Sequence, residues 1–505
     1  MIGSASNSAG KVIALATWFF LTPFILQHLD VGGYGLWILV GSVVAYGSLL
    51  DFGIAGAVTR SIAQHRAIGD MAAARSIAAT ALRLYCALGL IAALLTVGLA
   101  AIFADVFPVA GEDRQTVTLL VLVMGFTLAV SLPGSSTGAI LQGVHRYDLV
   151  NLTQTLALLL SAGATVLVLL AGGGVLGMVA VNIPIRLALF ALNVWLIRRV
   201  APDVGYGWRG AKRNLVAPIL SFSALGFVIN ASWQVQTKSD EIVIGALISV
   251  AAITPYSLAR KLSEAATLLS AEFVKVLLPI ASQLDAQDDR DRMRWLYLSS
   301  TRLTLAILLP VSSLLVLFGG QILAVWVGPR FAAYGELVTI LTIAGVLSVS
   351  QWAGGSMVMG MGRHGRLAWA AAAGAAGNLA LSVALVPHLG LMGVALGTLI
   401  PAAVESLLLV APHVLKTVDI DAVSAIRKAV LPAAIPLVPM AIVLVAFGRL
   451  MPNPSLLSLA IIAAVGLTTY GVGYALVGAS TYERTLVRSL VSATRAFTES
   501  LLRRP

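Results

Sequence analysis

Charge is scarce in this chain, and cysteine is nearly absent. Of its 505 residues only 11% are charged, against about 25% in a soluble chain of average composition. With 59% hydrophobic residues, that scarcity excludes a soluble globular class and identifies a polytopic membrane protein. The one cysteine, Cys86, lies in an apolar run. An intramolecular disulfide is therefore impossible, and no Cys/His metal spacing exists. No Walker loop, Ser/His/Asp arrangement or metal motif is present, so no cofactor and no ATP hydrolysis are expected. Connections between apolar runs are short, with no room for an extramembrane catalytic domain, and the chain does not read as an enzyme. The formal net charge is +11 without a separate basic domain. Nucleic acid is thus not an expected partner, and the charge has a better use in membrane orientation. Met1 to Gly10 lacks a basic n-region, so the first apolar segment is expected to remain as a helix.

What is present is a long series of apolar runs. A span needs about 20 mainly apolar residues. Fourteen candidates lie near 10–28, 34–59, 77–103, 116–142, 149–171, 175–197, 215–252, 256–280, 299–325, 336–361, 367–387, 391–412, 430–449 and 455–478. The expected fold class is an all-α polytopic membrane protein of about 14 transmembrane helices. Lys and Arg collect in alternate junctions: Arg60, Arg66 and Arg75; Arg146; Arg198 to Arg213; Arg290 to Arg294; Arg363 and Arg366; Lys416 to Lys428; and the tail from Arg484. The other junctions hold only Arg114 and Arg330, with Arg449 at an edge. The positive-inside rule then puts both termini in the cytoplasm.

The chain also repeats itself. Tyr34-Gly-Leu matches Tyr256-Ser-Leu, and Asp51-Phe52 matches Glu272-Phe273. Ile62-Ala-Gln, followed by Asp70, matches Ile280-Ala-Ser-Gln, followed by Asp288. Gly138, Gly143 and Arg146 match Gly355, Gly360 and Arg363; Gly174-Val-Leu-Gly177 matches Gly390-Leu-Met-Gly393; Pro184 matches Pro401. The offset stays at about 220 residues, and six intervening helices give both halves the same topology. The expected organisation is a six-helix bundle over 1–213, a second over 214–429, two additional helices over 430–478, and a basic tail over 479–505. That tail reads either as an amphipathic helix on the anionic leaflet or as a solvated segment.

The repeat bears on the polar stretch Gln234 to Glu241. If Tyr256 begins the eighth helix as Tyr34 begins the second, one helix is left for 215–252, with the polar stretch inside it. Asn230, Gln234, Lys238 and Glu241 then share one stripe at helical period; the alternative is a plain loop. In the eighth helix Arg260, Lys261, Glu264, Glu272 and Lys275 fall within about a third of the circumference. They either line a wet cavity or pair internally, Arg260 with Glu264 and Glu272 with Lys275. In the sixth helix Asn182 and Arg186 share a stripe with Asn193, and the Arg fork suits phosphate oxygens. The candidate anion-binding set is therefore Arg186, Lys238, Arg260 and Lys275, with Asn182, Gln234 and Lys261 beside them. Asp51, Asp240, Glu241, Glu264 and Glu272 are candidate coupling-ion sites, because carboxylates at membrane depth can exchange protons or bind cations. Asp51 equally suits capping a kink beside Gly53 or pairing with an Arg.

Tyr34-Gly-Leu-Trp37, Leu50-Asp51-Phe52-Gly53 with Arg60, Asp240-Glu-Ile-Val-Ile-Gly245 and Tyr256-Ser-Leu-Ala-Arg-Lys261 carry a family resemblance over about 1–430. The chain resembles the polysaccharide-flippase branch of the multidrug/oligosaccharidyl-lipid/polysaccharide exporter superfamily. That resemblance implies two six-helix bundles and a cationic cavity. It implies movement of polyprenyl-pyrophosphate-linked oligosaccharide across the bacterial inner membrane by alternating access. Membrane lipids, a polysaccharide polymerase and a chain-length protein are the partners it suggests. A drug/cation antiporter and a lipid II flippase of the same superfamily are the alternatives.

Overall fold

The computed structural model describes residues 2–107, 114–208, 210–216, 224–451, 455–480 and 483. Within these, the side chains of 2–9, 11, 12, 224–226, 269 and 272 are not described. The described residues contain helices and no strand. A helix closes its own backbone hydrogen bonds, which is the requirement hydrocarbon imposes on an open chain. Eleven helical stretches are long and apolar enough to cross a membrane. The first of them, Ile13–Ala67, takes up two of the predicted spans. Val250–Leu268 with Phe273–Ala286 forms a further one, bent by 48°. The helix Ala224–Leu247, too polar for that count, supplies the fourteenth.

Local chemistry explains where the boundaries differ from the sequence pattern. No loop separates the first two predicted spans. The helix Ile2–Ala45 runs through with one non-helical residue, Asp30 (φ 59°, ψ −172°). The Asp30 carboxylate accepts the Gly33 N–H at 2.8 Å, so the kink is capped by its own side chain. The eighth helix starts before Tyr256, at Val250, because the Ser249 hydroxyl accepts the Ala252 N–H at 3.2 Å. Through Gln234 to Glu241 the chain is continuous helix, and the loop alternative falls away.

The repeat reappears as geometry. Asp70 caps the helix Met71–Val106 by accepting from Ala73 N–H, after Gly69 at φ 77°. Asp289 caps Arg290–Val327 by accepting from Arg292 N–H, after Asp288 at φ 50°. The structural counterpart of Asp70 is therefore Asp289, one residue beyond the Asp288 that sequence matching selects. Gly143 and Gly360 also play matching roles. A Cβ on Gly143 would stand 2.9 Å from Ile62 Cβ and 3.1 Å from the Thr59 carbonyl. One on Gly360 would run into the Leu278 carbonyl. Small residues let membrane helices approach closely, where burial against lipid supplies little drive.

By contacts the chain divides into two compact units, 1–258 with 368–401 and 259–367 with 402–505. The core of the first gathers Ile62, Tyr85, Leu132 and Ile140, and extends to Ala201 and Val204 of the segment after Val200. Arg66 pairs with Asp203 at 3.2 Å, and Arg75 donates to the Asp203 carbonyl at 3.0 Å, so that segment is strapped to its own unit. In the second unit the last two spans pack through Met440, Leu444, Ile462 and Tyr470 onto Leu314 and Phe318. Arg302 there pairs with Glu483 at 2.8 Å, and the two side chains are only 12% and 8% exposed. The predicted amphipathic tail beyond 483 and the connection 108–113 lie outside the described residues.

Candidate functional site

The first unit encloses a cavity of about 650 Å³, within the range of roughly 300–1,000 Å³ that small ligands occupy. It forms where the chain breaks helix. After the short 3₁₀ helix Tyr46–Asp51, Phe52 (φ 46°) and Gly53 (φ 74°) take left-handed conformations, and a new helix, Ile54–Ala67, begins. Phe52 is held by stacking on Phe227, with ring centroids 5.0 Å apart. The break presents Asp51 to the cavity. Its carboxylate accepts the hydroxyl of buried Tyr85 and the backbone N–H of Ala55. Asp51 therefore stabilises the kink and also lines the cavity. Its partner, however, is a tyrosine and not an arginine.

Across the same cavity stand Asn182 and Arg186, both from the helix Asn182–Val200. Asn182 donates to the Met178 carbonyl at 3.0 Å. Arg186 makes no hydrogen bond or ion pair among the described residues. Trp37 and six hydroxyl side chains, Ser48, Thr127, Ser131, Ser135, Ser161 and Thr165, complete the polar lining, and Leu, Ile, Val, Met, Ala and Gly supply the rest. The sequence signal for this site was direct: an arginine near mid-span needs a wet surround.

A second polar cluster centres on Asp240, which is fully buried. Its carboxylate accepts from Tyr256 Oη at 2.6 Å, Thr398 Oγ1 at 3.0 Å and Asn378 Nδ2 at 3.5 Å. Asn378 also donates to the Gly397 carbonyl at 3.3 Å and accepts from Ser239 Oγ at 3.2 Å. Glu241 and Gln234 are buried on the same helix, at 4% and 7% exposure. Lys238 is half-buried there and makes no hydrogen bond or ion pair among the described residues. It is not part of the cavity lining.

The structure thus joins Asp51, Asn182 and Arg186 and collects partners on Asp240. Elsewhere Arg260 pairs with Glu264 at 3.0 Å, as the internal-pairing alternative expected. Lys261 is half-buried and Lys275 exposed, and both have partners. The Glu272 side chain lies outside the described residues, so its pairing with Lys275 does too. Tyr85, Tyr256, Asn378 and Thr398 were missed by sequence reasoning. Asn378 alone carried a usable signal, as the one amide within the apolar helix Gly365–Leu389.

Comparison with known proteins agrees with this architecture. The chain is 23% identical, over 97% of its own length and 98% of the other's, to a protein of Haloferax volcanii named as a probable flippase, AglR. Its fold is similar to a lipid II flippase, MurJ, in an inward closed conformation. There the TM-score is 0.73 with 13% identity, covering 96% of this chain and 99% of that one. It is also similar to an inward-facing multidrug resistance MATE family transporter of the MOP superfamily. That match has a TM-score of 0.67 and 15% identity, covering 82% of this chain and 94% of that one. A family model described as polysaccharide biosynthesis protein matches residues 25–335, more than half of the sequence, and the chain belongs to that family.

Proposed function

We propose that this protein is a flippase, not an enzyme, and that it moves polyprenyl-pyrophosphate-linked oligosaccharide across the bacterial inner membrane by alternating access. The observation that carries the reading is Arg186, a cation without a partner among the described residues, in a hydroxyl-lined cavity at membrane depth. A charge kept there without a structural partner points to a ligand. Asn182, Gln234 and Lys238 are proposed as further head-group contacts of the first unit, and Arg260, Lys261 and Lys275 as anion contacts of the second. Both termini are proposed to be cytoplasmic, and a polymerase and a chain-length protein are proposed as working partners. For coupling, Asp51, Asp240, Glu241, Glu264 and Glu272 are all proposed as candidates; Asp51 and Asp240 each accept a tyrosine hydroxyl, and Asp51 also lines the cavity. A lipid II flippase is the second reading, favoured by the near-complete fold match.

Reconstitution in proteoliposomes with a polyprenyl-pyrophosphate oligosaccharide tests the proposal. Arg186→Gln should abolish transport at normal abundance, because a charged hydrogen bond contributes about 1.5–3 kcal/mol. Full transport by that variant would end the reading. Lipid II moving faster than the oligosaccharide lipid would select the alternative.

A further inference from the structure

The cavity of the first unit has a chemical bias that says which part of such a head group it takes. Most of its polar lining accepts hydrogen bonds. Ser48, Thr127 and Ser131 each spend their hydroxyl proton on their own helix, donating to the Ala45, Val123 and Thr127 carbonyls at 2.6, 2.7 and 2.6 Å. What they offer the cavity is lone pairs. Asn182 commits one N–H to the Met178 carbonyl, which leaves its carbonyl oxygen and one N–H for a ligand. Asp51 is a carboxylate and accepts only, when ionised. A ligand satisfying this set must bring donors. Pyrophosphate oxygens accept and do not donate, so they would face most of these groups without a bond between them. Sugar hydroxyls do both.

The charges agree. Among the described residues Arg186 is the one basic residue of the lining, and Asp51 the one acid. In a largely apolar cavity an uncompensated charge is costly. Pyrophosphate linked to lipid and sugar brings two negative charges, a carboxylate one, so the sugar acid leaves one charge fewer unpaired. The planar guanidinium also matches a carboxylate through two parallel hydrogen bonds. Trp37 supplies an aromatic surface in the same cavity, on which the C–H face of a pyranose can pack. Ser135, Ser161 and Thr165, which make no hydrogen bond among the described residues, remain free to donate or accept.

We infer that the Arg186 cavity is a sugar-acid site: it takes a uronic-acid residue of the lipid-linked glycan, with the carboxylate on Arg186 and the ring hydroxyls on the acceptor-rich wall, and the pyrophosphate lies outside it. The inference rests on the flippase reading for its physiological ligand, but its test does not require transport.

The test uses the full chain in detergent with Cys86→Ser and Ser161→Cys, so that one thiol reports on the cavity. Methyl β-D-glucuronide, methyl β-D-glucoside and inorganic pyrophosphate are compared as protectants against a thiosulfonate reagent. The glucuronide should protect at concentrations at least tenfold below the glucoside. Pyrophosphate should not protect. Arg186→Gln should raise the half-protecting glucuronide concentration roughly ten- to a hundredfold, and Arg186→Lys should recover part of it. A Ser135→Cys reporter in the same background guards against a reporter that disturbs the site, and should give the same order. Protection by pyrophosphate in preference to glucuronide, equal protection by glucoside and glucuronide, or protection by none of the three at either position would overturn the inference. Proteoliposome transport of a glucuronate-bearing lipid is measured beside it. Protection without transport would count against the flippase reading and leave the site standing; transport without protection would do the reverse.

Discussion

Asp51 and Asp240 are both carboxylates on membrane helices, and each accepts a tyrosine hydroxyl. Their surroundings differ. Asp51 sits at a helix break and lines a cavity of about 650 Å³, together with an arginine that has no partner among the described residues. Asp240 lies in continuous helix, is fully buried, and is bonded by side chains from two further segments, Asn378 and Thr398. One carboxylate is presented to whatever fills the cavity, and the other is spent on holding helices together. The lesson is that an acidic residue at membrane depth does not declare its role by depth alone. The number of protein donors aimed at it decides how much of its charge is left for a ligand or an ion.

Removing each carboxylate in turn should separate the two sites most widely. Asp240→Ala takes away an acceptor shared by three donors, Tyr256, Asn378 and Thr398. It should destabilise the protein by about 2–3 kcal/mol, seen as lower abundance and an earlier thermal transition in detergent. Asp51→Ala removes the acceptor of Tyr85 and Ala55 beside a cavity that water can enter, so the loss should be about 1 kcal/mol. Transport should instead suffer most from the Asp51 change. Equal destabilisation by the two would show that the cavity is as dry as the Asp240 cluster.

Next in size is the effect of keeping shape and removing charge. Asp240→Asn retains one carbonyl acceptor and should restore most of the stability lost in the alanine variant. If Asp240 also binds a coupling ion, the response of transport to an imposed proton or Na⁺ gradient should vanish in this variant and persist in Asp51→Asn. A gradient response that survives Asp240→Asn unchanged would leave Asp240 a structural residue only.

The sequence revealed the helices because apolar runs in lipid have few other outcomes. It revealed Arg186 and Asp51 because charge in such a run is rare enough to count. The repeat put Gln234 to Glu241 inside a helix, which periodicity alone could not decide. Partners were not legible. Tyr85 lies 34 residues from Asp51, and Thr398 lies 158 residues from Asp240. A tyrosine or threonine in a membrane helix is unremarkable until its neighbour is known. Arg260 was legible only as two alternatives: its stripe suited a cavity, and its i,i+4 spacing from Glu264 suited the pair that the structure forms. Asp289 was missed as the counterpart of Asp70 because the repeat offset drifts by a residue, and only the cap geometry fixes it.

The finest test compares the two tyrosines. Tyr256→Phe removes one donor from Asp240 in a site where Tyr256 and Asp240 are both fully buried, so water cannot readily replace it. Tyr85→Phe removes one donor from Asp51, whose oxygens can turn to cavity water. The first change should cost about 1–2 kcal/mol and the second less than about 1 kcal/mol. Single variants mix the bond with the packing of the ring, so each tyrosine is combined with Asn at its aspartate in a double-mutant cycle. The coupling in the Tyr256–Asp240 cycle should exceed that in the Tyr85–Asp51 cycle by at least twofold. Saturating methyl β-D-glucuronide should change the Tyr85–Asp51 coupling, because a ligand displaces the water that competes for Asp51, and leave the Tyr256–Asp240 coupling unchanged. Equal couplings, with or without the glucuronide, would mean that the two carboxylates share one kind of environment and that the cavity wall at Asp51 is closed to ligands.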